Sequence, residues 1–280
     1  KLATYTLDAA VDFDRRYAAK SRMDVVGKTF TRVAQEILLK QERTSATLLM
    51  TSLANATIKT SPNFNGSQVF RSTLAGSLLM DDFNNLATLA KRINSSWIGG
   101  TPTTRVRGIT DIICSPEIVA SIRSMAYNPV NTRGGQGNAA AGTAETAFPV
   151  AAPDSVREDL FRNAGVNSFM GLNILEFNEM GKGEKFNTLF ATAAGATNYV
   201  KFDNTTSAGF NGATTQIVVG VDRSRDSLMR VVATDSESGS EMTLLADDQY
   251  SVRQNKIGYY GAIEEGRVVL DNRVLCGVIV

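Results

Sequence analysis

Three adjacent acid pairs, Asp81-Asp82, Asp247-Asp248 and Glu264-Glu265, are the residues whose type most readily suggests chemistry. Two carboxylates act together as acid and base only when both reach one point and share a proton. Chain neighbours do not converge in that way. On a strand they face opposite sides, and on a helix they diverge by about 100°. The sequence therefore reads all three pairs as solvated or ion-paired carboxylates.

Other candidate motifs fail on their flanks. Gly135-Gln136-Gly137-Asn138-Ala139-Ala140 matches a dinucleotide fingerprint, but Tyr127-Asn128-Pro129-Val130-Asn131 before it is turn chemistry rather than a strand. Gly27-Lys28-Thr29 is the tail of a phosphate loop whose leading glycine is replaced by Arg22. Ser238-Gly239-Ser240 is no nucleophile elbow. The chain contains no histidine, which removes the commonest general base, metal ligand and pH switch together. A hydrolase or transferase built on Asp, Glu, Lys or Ser stays open as an alternative. The sequence nominates no catalytic, cofactor-binding or metal-ligating residue and implies no cofactor.

Composition sets further bounds. A chain of 280 residues with 43 % hydrophobic content has one large or two modest folded domains. Its 29 basic and 28 acidic residues leave a net charge of +1, which gives no electrostatic case for a nucleic-acid or membrane partner. No stretch approaches the ~20 apolar residues of a membrane span. Cys114 and Cys276 sit in apolar runs and read as buried thiols. The chain opens on Lys1, so either residues precede it or a protease removed them.

The elements that must carry any function follow from periodicity. Met23 to Ile58 reads as helical, with Val26, Phe30, Val33, Ile37 and Leu38 on one stripe and a polar interruption at residues 40–45 that permits a bend. Ser61–Gly66 is a loop, and Ser72–Trp97 is a second amphipathic helix. Val106–Cys114 is a strand; Ser115-Pro116-Glu117 then caps a helix running to about Met125. A Gly- and Ala-rich loop, Asn128–Ala152, leads to a helix over Ser155–Asn163, capped by Asp154 and closed by Gly165. Strands are expected at Leu172–Phe177, Phe186–Ala191, Gln216–Val221, Leu228–Ala233, Glu241–Ala246 and Lys256–Ile263, with turns over Asp203–Gly212. The order, helices first and strands last, indicates an α+β fold.

The chain closes on "EEGRVVLDNRVLCGVIV", read as runs Arg267–Leu270 and Arg273–Val280 joined in a tight hairpin at Asp271-Asn272. Both faces of that hairpin are apolar, so it is sandwiched between layers or between subunits.

"GYYGAIEEGRVVLDNRVLCGVIV" resembles the end of major capsid proteins of tailed bacteriophages with the HK97-type fold, and Ile109–Arg133 resembles the entry into their axial domain. The resemblance runs from about Ser72 to Val280. It implies an HK97-like α+β fold with a long spine helix in a peripheral domain and a mixed α/β axial domain. The implied division is an N-terminal arm and extended loop over residues 1–71, the loop itself within Thr44–Arg71. Residues 72–104 are a peripheral part carrying the Ser72–Trp97 spine, residues 105–235 the axial domain, and residues 236–280 a return to the peripheral domain. It implies a structural subunit, not an enzyme, that assembles into the icosahedral head of a double-stranded DNA phage. Its partners would be itself in hexamers and pentamers, a portal, a scaffold or prohead protease, a decoration protein, and weakly held DNA, with no membrane. Its location would be the virion, after assembly in the host bacterial cytoplasm. An encapsulin-type cellular shell shares the fold and is the alternative. Some family members cross-link a Lys to an Asn, for which Lys59 and Asn272 are candidates that nothing else in the sequence selects.

Overall fold

The structure is a computed structural model that describes residues 3–16, 25–56, 67–97, 108–127, 168–202, 207–224, 227–234, 239–247 and 255–280. The expected loop at Asn128–Ala152, the helix at Ser155–Asn163 and the glycine motif at residues 135–140 lie outside them, as do Lys59 and Ser61–Gly66. The chain divides into two compact units. Unit one comprises Lys1–Leu49 and Leu228–Leu270, and unit two comprises Met50–Ser227 and Asp271–Val280. The expected boundaries after residues 71, 104 and 235 do not coincide with this division.

Unit one is built on one long strand, β11 (Lys256–Val269). Along one edge it pairs antiparallel with β1 (Tyr5–Asp14), from Tyr5 opposite Glu265 to Asp14 opposite Lys256. It also pairs antiparallel with β9 (Leu228–Val232) and β10 (Thr243–Asp247). The sequence reading split β11 in two at its glycines. Two of these glycines mark close approaches instead. A Cβ on Gly266 would lie 2.8 Å from the Ala3 carbonyl oxygen, and one on Gly261 would lie 2.8 Å from Met242 Cε.

Strand β1 alternates as a half-buried strand must: Tyr5, Leu7, Ala9 and Val11 are half-buried, whereas Thr6, Asp8, Ala10 and Asp12 are exposed. Its inner face meets α1 (Val25–Ala54), whose Val33 and Ile37 pack on Ile263 beside Ala9, Val11, Val232 and Met242. Phe30 adds an edge contact to Tyr259 at 4.6 Å between ring centroids. No break occurs at residues 40–45. The buried stripe Val33, Ile37, Gln41 simply continues at four-residue spacing, and the Thr44 and Ser45 hydroxyls donate to the Lys40 and Gln41 carbonyls inside the helix. Residues 44–54 are therefore helical.

Unit two holds a six-stranded mixed sheet in the order β2 (Val69–Arg71), β12 (Leu275–Ile279), β8 (Ile217–Val221), β3 (Asp111–Cys114), β5 (Leu172–Glu176), β4 (Ser168–Phe169). A two-stranded ladder, β6 (Asn198–Val200) with β7 (Ser207–Gly209), stands beside it through a bridge between Arg71 and Lys201. The core joins this sheet to α2 (Met80–Trp97) and α3 (Pro116–Tyr127): Leu86, Leu89, Ile93, Ile118 and Ile122 surround Ile112, Val218 and Val278.

Helix α2 starts at Met80 rather than Ser72. Asp82 reaches back to accept from the Leu79 and Thr73 amides, both at 2.9 Å, and so folds residues 73–79 into its own N-terminal cap. Ser115 caps α3 as read from sequence, accepting from the Ile118 amide at 3.3 Å. The expected strand Phe186–Ala191 is instead helical, part of α4 (Lys185–Ala194). Phe186, Phe190 and Ala194 lie on one buried face at helical spacing, and Phe190 meets Phe210 edge-on at 4.8 Å.

Strand β12 accounts for the apolar run at residues 274–280. There is no hairpin at Asp271-Asn272. A 3-10 turn, Asn272–Val274, separates β11 in one unit from β12 in the other. All five residues of β12 are buried because it is an interior strand, parallel to β2 on one side and antiparallel to β8 on the other. Val280 closes the ladder by exchanging two backbone hydrogen bonds with Gln216, at 2.8 and 2.9 Å. The Gln68 amide nitrogen, oriented by its surroundings, donates to the Leu275 carbonyl at 2.6 Å and the Asn272 carbonyl at 2.8 Å. The greasy strand is thus sandwiched within its own subunit.

Candidate assembly surfaces

The residues that could do chemistry are separated or neutralised. Glu264 and Glu265 face opposite sides of β11: Glu264 is exposed and accepts from Thr4 Oγ1 at 2.6 Å, whereas Glu265 is 0 % exposed. Asp81 is exposed and Asp82 is consumed by the α2 cap. Asp247 ends β10, and Asp248 lies outside the described residues. Gly27-Lys28-Thr29 lies in the first turns of α1, with Lys28 exposed and the Gly27 carbonyl bonded by Thr31. Ser238 is outside the described residues, and Ser240 Oγ donates to the Met242 carbonyl at 2.9 Å. Among the described residues no three acidic or cysteine side chains come together to hold a metal ion, and no helix is long and apolar enough to cross a membrane. Cys114 and Cys276 are buried and free, and burial pushes the Cys114 thiol up to about 12, with Glu176 adding to it.

Glu265 is ion-paired, one of the two states read from the sequence, but its burial and its partners were not read there. Glu265 accepts from Tyr5 Oη at 2.8 Å on β1, Gln41 Nε2 at 3.1 Å on α1, Arg230 Nε at 2.9 Å on β9 and Arg267 Nε at 3.1 Å on β11 itself. Burial alone would raise this carboxyl. Hydrogen bonds from Arg267, Arg230 and Tyr5 overcome burial and hold it below the usual carboxylate range. The available signal was the alternation of β11, which obliges one member of Glu264-Glu265 to face inward.

Unit one also exposes apolar side chains. Leu244 and Leu245 are neighbours on β10 and so face opposite sides, yet they are 48 % and 58 % exposed. Ala10, Tyr260 and Leu245 form a row across three strands. A cleft of about 500 Å³ opens there, lined also by Asp12 and Gly258. Asp12 is held low by the hydrogen bond and charge of Lys256, whose Nζ lies 2.8 Å away. Such a surface offers contact area and little reactivity. Unit two adds Leu74 and Met170 to the exposed apolar residues. Met170 sits at the tip of the β4–β5 hairpin with φ 51°.

No family model and no curated protein matches the sequence. Solved structures do match the fold. A native GTA particle capsid protein shares 13 % identity, covers 99 % of this chain and 73 % of its own, and gives a TM-score of 0.54. The cyanophage Pam1 capsid shares 9 % identity with 99 % and 74 % coverage and a TM-score of 0.54. The SrpI encapsulin of Synechococcus elongatus PCC 7942 shares 11 % identity with 98 % and 73 % coverage and a TM-score of 0.50. The chain has the HK97-type capsid fold, an α+β architecture.

Proposed function

We infer that this chain is the building subunit of a closed protein shell, and that the shell is the icosahedral head of a tailed double-stranded DNA bacteriophage. One observation carries this reading. Nearly the whole chain, both units included, follows the fold of subunits in capsids and an encapsulin. The exposed row Ala10, Tyr260 and Leu245 of unit one supports it, because contiguous apolar surface on a folded chain marks places where other chains sit. Many such contacts, each worth ~25 cal/mol per Å² of apolar area, add up around a closed particle.

Unit two is read as the axial domain and unit one as the peripheral domain. In this assignment α1, not the helix ending at Trp97, is the spine. A net charge of +1 suits a wall that holds packaged DNA weakly. Further copies in hexamers and pentamers, a portal, and a scaffold or prohead protease are the partners this reading expects, and a decoration protein is compatible with it. Assembly would take place in the host bacterial cytoplasm. The chain is not assigned an enzymatic activity.

The encapsulin likeness gives the second reading, a cellular shell around a protein cargo. Particles recovered from source cells and treated with nuclease separate the two. Protected double-stranded DNA is the expected content. Particles holding only protein would contradict the phage reading and leave the shell reading standing.

A further inference from the structure

We propose that Glu265 is an acid-sensitive clasp that fastens the start of β1 to its sheet and releases it when the carboxylate takes up a proton. The proposal concerns unit one alone and goes beyond the shell reading.

The geometry is that of a junction. On β11, Glu265 stands where three other elements meet: Tyr5 on β1, Gln41 on α1 and Arg230 on β9 all bond its two oxygens. Arg267 bonds both oxygens from the same strand, at 3.1 and 3.3 Å. The charged and titratable groups facing it are Tyr5 from β1, Arg230 from β9, Arg267 from β11, and Glu241, which bonds Arg230 Nη2 at 3.4 Å from the segment before β10. The contact from α1 is the neutral Gln41. Glu264 faces the other side of the sheet.

Two features make the junction depend on charge. Arg230 and Arg267 are direct cross-strand partners, and like charges so placed repel unless an anion lies between them. A carboxylate with no exposed surface has no water to replace a lost partner. Protonation therefore leaves two guanidiniums facing each other and turns one acceptor oxygen into a hydroxyl, so that a donor now aimed at it must turn away or become the acceptor. The start of β1 is where release is easiest. Residues 3–5 are held by Tyr5 on Glu265, by Thr4 on Glu264, by a Tyr5–Thr44 side-chain hydrogen bond, by the ladder pairing of Tyr5 with Glu265 and by the passage of the Ala3 carbonyl over Gly266. Both side-chain bonds to β11 end on a carboxylate, and β1 pairs β11 on one side only among the described residues.

Hydrogen exchange read by mass spectrometry on the full chain tests this, with rates corrected for intrinsic pH dependence between pH 7 and pH 3. The expected result is that peptides over residues 3–9 exchange at least tenfold faster at the acid end, while β8 and the Lys256–Tyr260 half of β11 keep their protection. Glu265→Gln should show the fast exchange already at pH 7 and little change on acidification. Should that variant not fold, Tyr5→Phe keeps the buried charges and removes one donor, and it should speed exchange over residues 3–9 several-fold at pH 7. Unchanged protection of residues 3–9 in the wild type down to pH 3, loosening of them only together with the whole of β11, or wild-type exchange in Glu265→Gln or Tyr5→Phe at pH 7 would each overturn the proposal.

Discussion

Val278 on the last strand lies directly opposite Val218 on β8, and both are buried in the core of unit two. The C-terminal strand is thus a structural member of the subunit and is unavailable to a neighbouring copy. Val278→Asp and Leu275→Asp should prevent the subunit from folding, before assembly is reached. Leu275→Ala should cost about 2–5 kcal/mol. Urea unfolding of the alanine variant and the soluble yield of the aspartates check this; folded aspartate variants that merely fail to assemble would place the strand at an interface instead.

Gly266 passes beneath the Ala3 carbonyl with no room for a Cβ. Gly266→Ala should destabilise unit one by about 1–3 kcal/mol, the ordinary cost of overpacking. Limited proteolysis should show earlier cleavage near residues 3–7 than in the wild type. An unaltered digestion pattern and unfolding midpoint would argue against the close approach.

The Glu265 site fixes the direction of a pH effect. Its folded-state carboxyl is held below its unfolded value by Arg267, Arg230 and Tyr5 against the opposing effect of burial. The stabilisation is therefore complete above the unfolded value of about 4.3 and is lost as pH falls through the lower folded value. Glu265→Ala should cost about 1–3 kcal/mol at pH 7: it leaves two arginines without their anion, but Arg230 is 38 % exposed and water screens part of the loss. Thermal unfolding from pH 7 to pH 2 should show a loss at the acid end that the variant lacks.

How much of this was legible in the sequence depends on whether the signal was local. Ser115-Pro116-Glu117 announced α3 because a cap is written in consecutive residues. The Val278-Ile279-Val280 strand was legible from its β-branched residues, but its partners were not, since β2 and β8 lie far away in the chain. Gly258, Gly261 and Gly266 suggested breaks in β11 because a glycine looks the same in a turn and beneath a crossing backbone. Phe186 and Phe190 looked like strand residues until their four-residue spacing met the core of unit two. Glu265 was legible as a solvated or ion-paired carboxylate and Gln41 as part of a polar interruption, but their pairing was not, since it spans 224 residues.

The Cys114 and Cys276 thiols should be inert in the folded protein. Both are buried, and burial raises both, Cys114 to about 12. A thiol-reactive dye at pH 8 should label neither until denaturant is added, then both. Rapid labelling of the native protein would contradict the core placement of β3 and β12.

Leu244 and Leu245 are exposed apolar neighbours on β10, which the shell reading uses as contacts between copies. As exposed side chains their replacement by Asp should change subunit stability by no more than about 0.5 kcal/mol. Sedimentation velocity should nonetheless show a smaller assembled fraction for both variants. Normal assembly by both would remove the β10 edge from the set of contacts between copies.

The most direct test of the central claim is electron microscopy of the purified full-length gene product across a range of concentrations. Closed shells of uniform diameter, with six-fold and five-fold clusters of one subunit, are the predicted images. A protein that stays a well-folded monomer at high concentration, and turns over a substrate in that state, would contradict the claim that its function is to enclose.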